Sequence, residues 1–195
     1  MTDENIDLIE GNWNKYVSLL KKACGSDLAT EITDHFGERL VLAPSAPRSD
    51  QSGCFPGGLI DHTLRVTAKM RNLSKLYGKD LDTASILKVG LLHDLGKAGD
   101  LESDLFINQD SDWHREKLGQ FYKYNEDLEK MSVSHRTLYL LQHFGVELSR
   151  DEWLAIQLAQ GSHFEENRFY VGSEPTLSLI TQQAKQIVNH ESKSD

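Results

Sequence analysis

Two stretches of the chain hold residues whose types could do chemistry. One reads Gly57-Gly58-Leu59-Ile60-Asp61-His62-Thr63-Leu64-Arg65. The other, some thirty residues on, reads Leu91-Leu92-His93-Asp94-Leu95-Gly96-Lys97. Two imidazoles and a carboxylate suit a borderline or hard divalent ion. Such an ion lowers the pKa of bound water and polarises a phosphoryl oxygen. Spacing alone leaves a second reading equally open, a buried His–Asp hydrogen bond without metal. His93 and Asp94 end a very apolar helix, so Asp94 is expected to be buried. A buried carboxylate needs a cation, a metal or strong donors.

The elements that must bring these residues together are read from apolar spacings of three and four, which predict an all-α fold. A first helix is expected over about Trp13 to Cys24, ended by Gly25. The next, capped by Ser26 or Asp27, carries Leu28, Ile32, Phe36 and Leu40 on one face. Residues 42–57 form a long Pro-containing loop of the kind that often carries function. A strong helix runs from about Gly58 to Tyr77, with Gly78 placed as its cap. Another starts at Asp82 as N-cap and ends at Gly96. Residues 98–131 are irregular, with a small β-hairpin pairing Trp113–Lys117 with Gln120–Tyr124. Ser134 is expected to cap a helix. Ser149 and Glu152 form a capping box that opens another, with Trp153 and Ile156 inward. The last begins near Ser173 with Pro175 in its first turn. Packed antiparallel, the two central helices do not automatically bring His62 opposite His93, so a third element or a helix offset must complete any site.

The bulk properties bound the reading. A length of 195 residues suits a single domain, 1–195, with an ordered core over about 12–188 and frayed ends. The net charge of −9 opposes non-specific adhesion to nucleic acid or anionic membranes, yet a local cluster of cations can still hold a phosphate. Cys24 and Cys54 form no C-x-x-C pair, the first residues carry no secretory signature, and no apolar run is long enough for a bilayer. A reducing cytoplasm is the simplest expectation.

The Gly-Gly-Leu-Ile-Asp-His-Thr-Leu and Leu-Leu-His-Asp-Leu-Gly-Lys stretches resemble the two signature helices of the HD superfamily, in particular a subgroup common in bacteria and their viruses. Arg136-Thr137-Leu138-Tyr139-Leu140-Leu141 and Glu152-x-x-Ala155-Ile156 extend the likeness over about residues 12–188. The resemblance implies a compact multi-helix HD-domain-like bundle and a metal-dependent phosphohydrolase acting on a nucleotide or related phosphate ester, in a host cytoplasm if the source is viral. It implies His62, His93 and Asp94 as ligands of one divalent ion (Mn, Fe, Co, Ni, Zn or Mg). Asp94 and Lys97 become catalytic candidates, and Arg65, Lys97 and Arg136 phosphate-binding ones. The fourth ligand in the family is an aspartate after an alanine on the last helix, where this chain reads Ala184-Lys185. The extra histidines of dinuclear members correspond to Val133 and Ala159. Either three residues and water hold a metal, or Lys185 displaces it and pairs with Asp94. The alternative function is therefore a degenerate member that binds a nucleotide or protein without hydrolysis.

Overall fold

The computed structural model describes residues 3–77 and 81–192. The fold is all-α, with one small two-stranded ribbon. The helices are α1 (Asp3–Cys24), α2 (Ser26–Phe36), α3 (Glu38–Leu42), α4 (Gly58–Leu76), α5 (Thr83–Leu92), α6 (Asp112–Leu118), α7 (Val133–His143), α8 (Arg150–Gln157) and α9 (Thr176–Glu191). Short 3-10 turns cover Leu95–Ala98 and Glu165–Tyr170. Strands β1 (Phe106–Asn108) and β2 (Tyr122–Tyr124) pair antiparallel, Ile107 opposite Lys123.

One contiguous apolar cluster holds the bundle. Tyr16 and Leu20 of α1, Ile32 and Phe36 of α2, Val66 and Met70 of α4, Leu91 and Leu92 of α5, and Ile180 of α9 meet in it. The helix α4 is central and packs on both α5 and α9, while α7 packs on the turn at 95–98. At the crossing of α4 and α5, a Cβ on Gly90 would lie 2.6 Å from Thr67 Oγ1, so only glycine permits that approach. The double glycine before His62 serves backbone packing: a Cβ on Gly58 would sit 2.1 Å from the Gly53 carbonyl oxygen. Gly58→Ala should therefore push the 42–57 loop off α4. We expect a loss of roughly 1–3 kcal/mol or more, read by urea unfolding. A change below a few tenths would show that the loop gives way freely.

Several expectations are corrected. The first helix starts at Asp3, not near Trp13. Gly37 divides the second predicted helix into α2 and α3, and α2 begins directly after Gly25 with no side-chain cap from Ser26 or Asp27. The segment from Trp113 to Lys117 is helical, inside α6. The partner of β2 is Phe106–Asn108, because Ser111 caps α6 by accepting from the His114 N–H. Ser132, not Ser134, caps α7. Trp153 is 42 % exposed rather than inward. Pro175 is the N-cap of α9, which runs to Glu191, and residues 193–195 of the expected tail lie outside the described residues. The caps at Asp82 and Ser149 are as expected, the latter a complete capping box. Gly78 lies outside the described residues.

Candidate active site

His62 lies one turn into α4, and His93 and Asp94 lie where α5 ends and the 3-10 turn begins. That junction is clamped from α7. The Gly96 N–H donates to Thr137 Oγ1 at 2.9 Å, and Thr137 Oγ1 donates to the His93 carbonyl at 3.4 Å. His62 and His93 meet directly across the packed helices α4 and α5, with no third element needed, and α9, which packs along α4, adds Lys185 against Asp94. Potential ligand atoms of His62, His93 and Asp94 lie within 4.8 Å of one another.

All three residues are essentially sealed from solvent, and each is held from behind. His93 Nδ1 faces the Gly90 carbonyl oxygen at 2.9 Å. A carbonyl only accepts, so Nδ1 carries the ring proton and Nε2 is left with its lone pair. His62 Nδ1 meets Ser52 Oγ at 3.0 Å, and Ser52 Oγ accepts from Ser192 Oγ at 3.0 Å. Nε2 of both rings is buried without a hydrogen-bond partner. His93 Nε2 lies 3.6 Å from Asp94 Oδ2, two acceptors face to face, an arrangement that suits a cation or donor between them.

The Asp94 carboxylate is already answered by cations of this chain. Lys185 Nζ and Gln160 Nε2 donate to Oδ1 at 2.9 and 2.7 Å. Lys97 Nζ lies 2.9 Å from Oδ2 and donates to Ser45 Oγ at 3.0 Å. The Oδ2 contact is an ion pair without the alignment of a hydrogen bond. Burial alone would raise the Asp94 carboxyl, but Lys185 and Lys97 outweigh it and hold it well below the usual range. Burial pulls the Lys185 ammonium down to about 8, against the attraction of Asp94.

By type and spacing the three residues could hold a divalent ion. By charge, the arrangement does not fit one. Lys185 stands where the resemblance expects a fourth carboxylate, and a divalent ion beside Asp94 would meet two ammonium groups on the same carboxylate. The ion would have to expel Lys185 from a buried ion pair. Val133 and Ala159 supply no second set of ligands, and His135 and His163 are both exposed.

Burial lowers both imidazoles, His62 well below its ordinary value and His93 to about 4. In the unfolded chain both would take up protons near pH 6.5. The unfolded state therefore binds more protons between about pH 6.5 and 4, and stability falls as the pH drops through that window. Thermal melting from about pH 7 to about pH 4.5 should show a falling midpoint; His93→Gln should flatten the slope. A midpoint unchanged down to about pH 5 would contradict the assignment.

Of the remaining candidates, Lys97 lines a cavity of about 320 Å³ with Ser45, Ser52, Gln160 and Asn189. Arg65 is turned away from it: Nη1 donates to Ser192 Oγ at 3.2 Å and Nη2 lies 3.5 Å from Glu191. It reaches His62 only through Ser192 and Ser52. Arg136 is buried, donates to the Glu129 carbonyl at 2.7 Å and lines a different cavity. Sequence reasoning missed Ser45, Ser52, Gln160 and Ser192. Single polar residues in a loop, beyond a helix end or at a chain terminus carry no periodic signal.

A family model for the HD domain matches residues 59–184, well over half of the chain. No curated protein and no solved structure matches significantly. The chain belongs to the HD-domain family, whose members are typically metal-dependent phosphohydrolases. The match ends at Ala184, one residue before Lys185. Among the described residues no helix is long and apolar enough to cross a membrane.

Proposed function

We propose that this chain binds a phosphate ester, specifically a nucleotide, above Asp94, without the metal-activated water of its family. The observation that carries this reading is the state of Asp94. Its charge is met by Lys185 and Lys97, and Gln160 takes a further bond to it. His62, His93 and Asp94 are 1 %, 0 % and 1 % exposed, so they lie beneath the cavity rather than in it. Lys97 is the group that meets an anion, with Ser45, Ser52 and Gln160 around it. Asp94 anchors the two lysines. Arg65 supports His62 from behind, and Arg136 acts in packing against the 95–98 turn.

A second reading, metal-dependent hydrolysis of the ester, is favoured by the unpartnered Nε2 atoms of His62 and His93. It requires Lys185 to leave Asp94. Elemental analysis of the purified protein, joined to a nucleotide panel with Mn²⁺, Co²⁺, Ni²⁺ or Mg²⁺ each supplied, separates the two. We expect less than one metal per chain, no turnover, and nucleotide binding indifferent to EDTA. Stoichiometric metal that is lost in His93→Ala, together with hydrolysis, would establish the second reading and end the first.

A further inference from the structure

Two cavities meet at Lys97 and Phe106. The smaller, above Asp94, has a mixed lining, and Lys97 is its cation. The larger, about 530 Å³, opens between α3, the 42–57 loop and the ribbon. Its volume lies in the range of small-molecule sites. Both cavities carry loop prolines and ribbon aromatics. Pro44 and Pro56 come from the loop, and Phe106 and Tyr122 from the ribbon. Pro44 and Phe106 are buried, while the half-buried Pro56 and Tyr122 offer apolar surface, the Tyr122 ring being of the sort that receives a planar ligand. At the rim stands Asn108, an exposed amide that can both donate and accept. Glu38 and Arg39 line the opposite side, with Arg39 Nε donating to Asp104 at 2.7 Å.

The walls are fixed to one another before any ligand arrives. The Pro47 carbonyl accepts from the Phe121 and Tyr122 N–H groups at 3.0 and 3.1 Å, and the Ser49 N–H donates to the Gly119 carbonyl at 2.8 Å. The loop and the ribbon are thereby stitched together on one side of the cavity. A slot held open in this way spares a ligand part of the ordering cost of binding.

We propose that this larger cavity is the base-recognition half of the ligand site: it takes the planar heterocycle of a nucleoside 5′-phosphate whose phosphate lies on Lys97. Tyr122 supplies the flat contact with Pro56 beside it, and Asn108 reads the ring edge. The inference rests on the phosphate-binding reading above and names what discriminates among phosphate esters.

The test is equilibrium binding of four nucleoside 5′-monophosphates, ribose 5-phosphate and inorganic phosphate to the full chain. The variants are Tyr122→Ala, Asn108→Ala and Lys97→Ala, each checked for folding by its thermal transition. At least one nucleotide should bind about tenfold or more tighter than ribose 5-phosphate, the size expected for one stacked base. Tyr122→Ala should erase that advantage while leaving ribose 5-phosphate unchanged. Asn108→Ala should compress the differences among the four bases, and Lys97→Ala should weaken every probe. Equal affinity for nucleotide and ribose 5-phosphate would overturn the base site while the phosphate reading stands. A nucleotide that needs Tyr122 but not Lys97 would keep the base site and overturn the phosphate reading. Failure of all probes to bind would end both. Should Tyr122→Ala not fold, Tyr122→Leu tests the same contact, since it keeps apolar bulk and removes the ring face.

Discussion

Lys185→Asp is expected to turn a chain that carries little metal into one that retains about one divalent ion per molecule. The substitution removes the ammonium that pairs with Asp94 Oδ1 and puts a second carboxylate in its place. Two imidazole nitrogens without partners and two acids then face one volume, a donor set that suits Mn²⁺, Co²⁺ or Zn²⁺. Without metal the variant should be weaker than the parent, because two buried carboxylates are left with Lys97 as their cation. The loss should be on the order of 3–5 kcal/mol, the usual cost of breaking a buried ion pair from one side. Added ion should return about 2.7 kcal/mol at a hundredfold excess over its Kd. Elemental analysis and melting with and without Mn²⁺ read both effects. A variant that melts at the same temperature in EDTA and in Mn²⁺, with no metal retained, would refute the idea that Lys185 alone bars the ion.

Asp94→Ala should be among the most damaging single substitutions in the chain. It strips the counter-charge from Lys185, whose side chain is 8 % exposed, and from Lys97. An orphaned buried ammonium costs about 3–5 kcal/mol. For a chain of this length that lowers the melting midpoint by roughly 6–20 °C. The double variant Asp94→Ala, Lys185→Met should recover much of the loss, since replacing both partners of a buried pair by apolar groups is often neutral or better. If the single variant melted within roughly 2 °C of the parent, the ion pair would not be the anchor of the site.

The need for a partner at Asp94 was legible in the sequence, because a carboxylate at the end of Ile86–Leu92 had to be answered. So was the pairing with Lys185, as one of two outcomes. The helical class and the caps at Asp82 and Ser149 followed from periodicity and side-chain chemistry. The ribbon was misplaced because Leu118-Gly119 reads as a turn between two short runs, while Ser111 capping the His114 N–H fixes Trp113–Lys117 as a helix. Leu28 to Leu40 read as one helix because apolar spacing continues through Gly37, although the backbone turns there. The support behind His62 was hidden for a different reason. Ser52 and Ser192 are 140 positions apart and meet only because α9 returns along α4.

The pair of lysines over Asp94 has a kinetic corollary. Counting one negative and two positive charges, the floor of the cavity is net positive inside a chain whose total is −9. A phosphate ester approaching from bulk first meets the repulsion of the whole molecule, and meets attraction only within a Debye length or so of Lys97. Moderate salt should then quicken encounter by screening the far field, while the same salt shortens residence by weakening the near one.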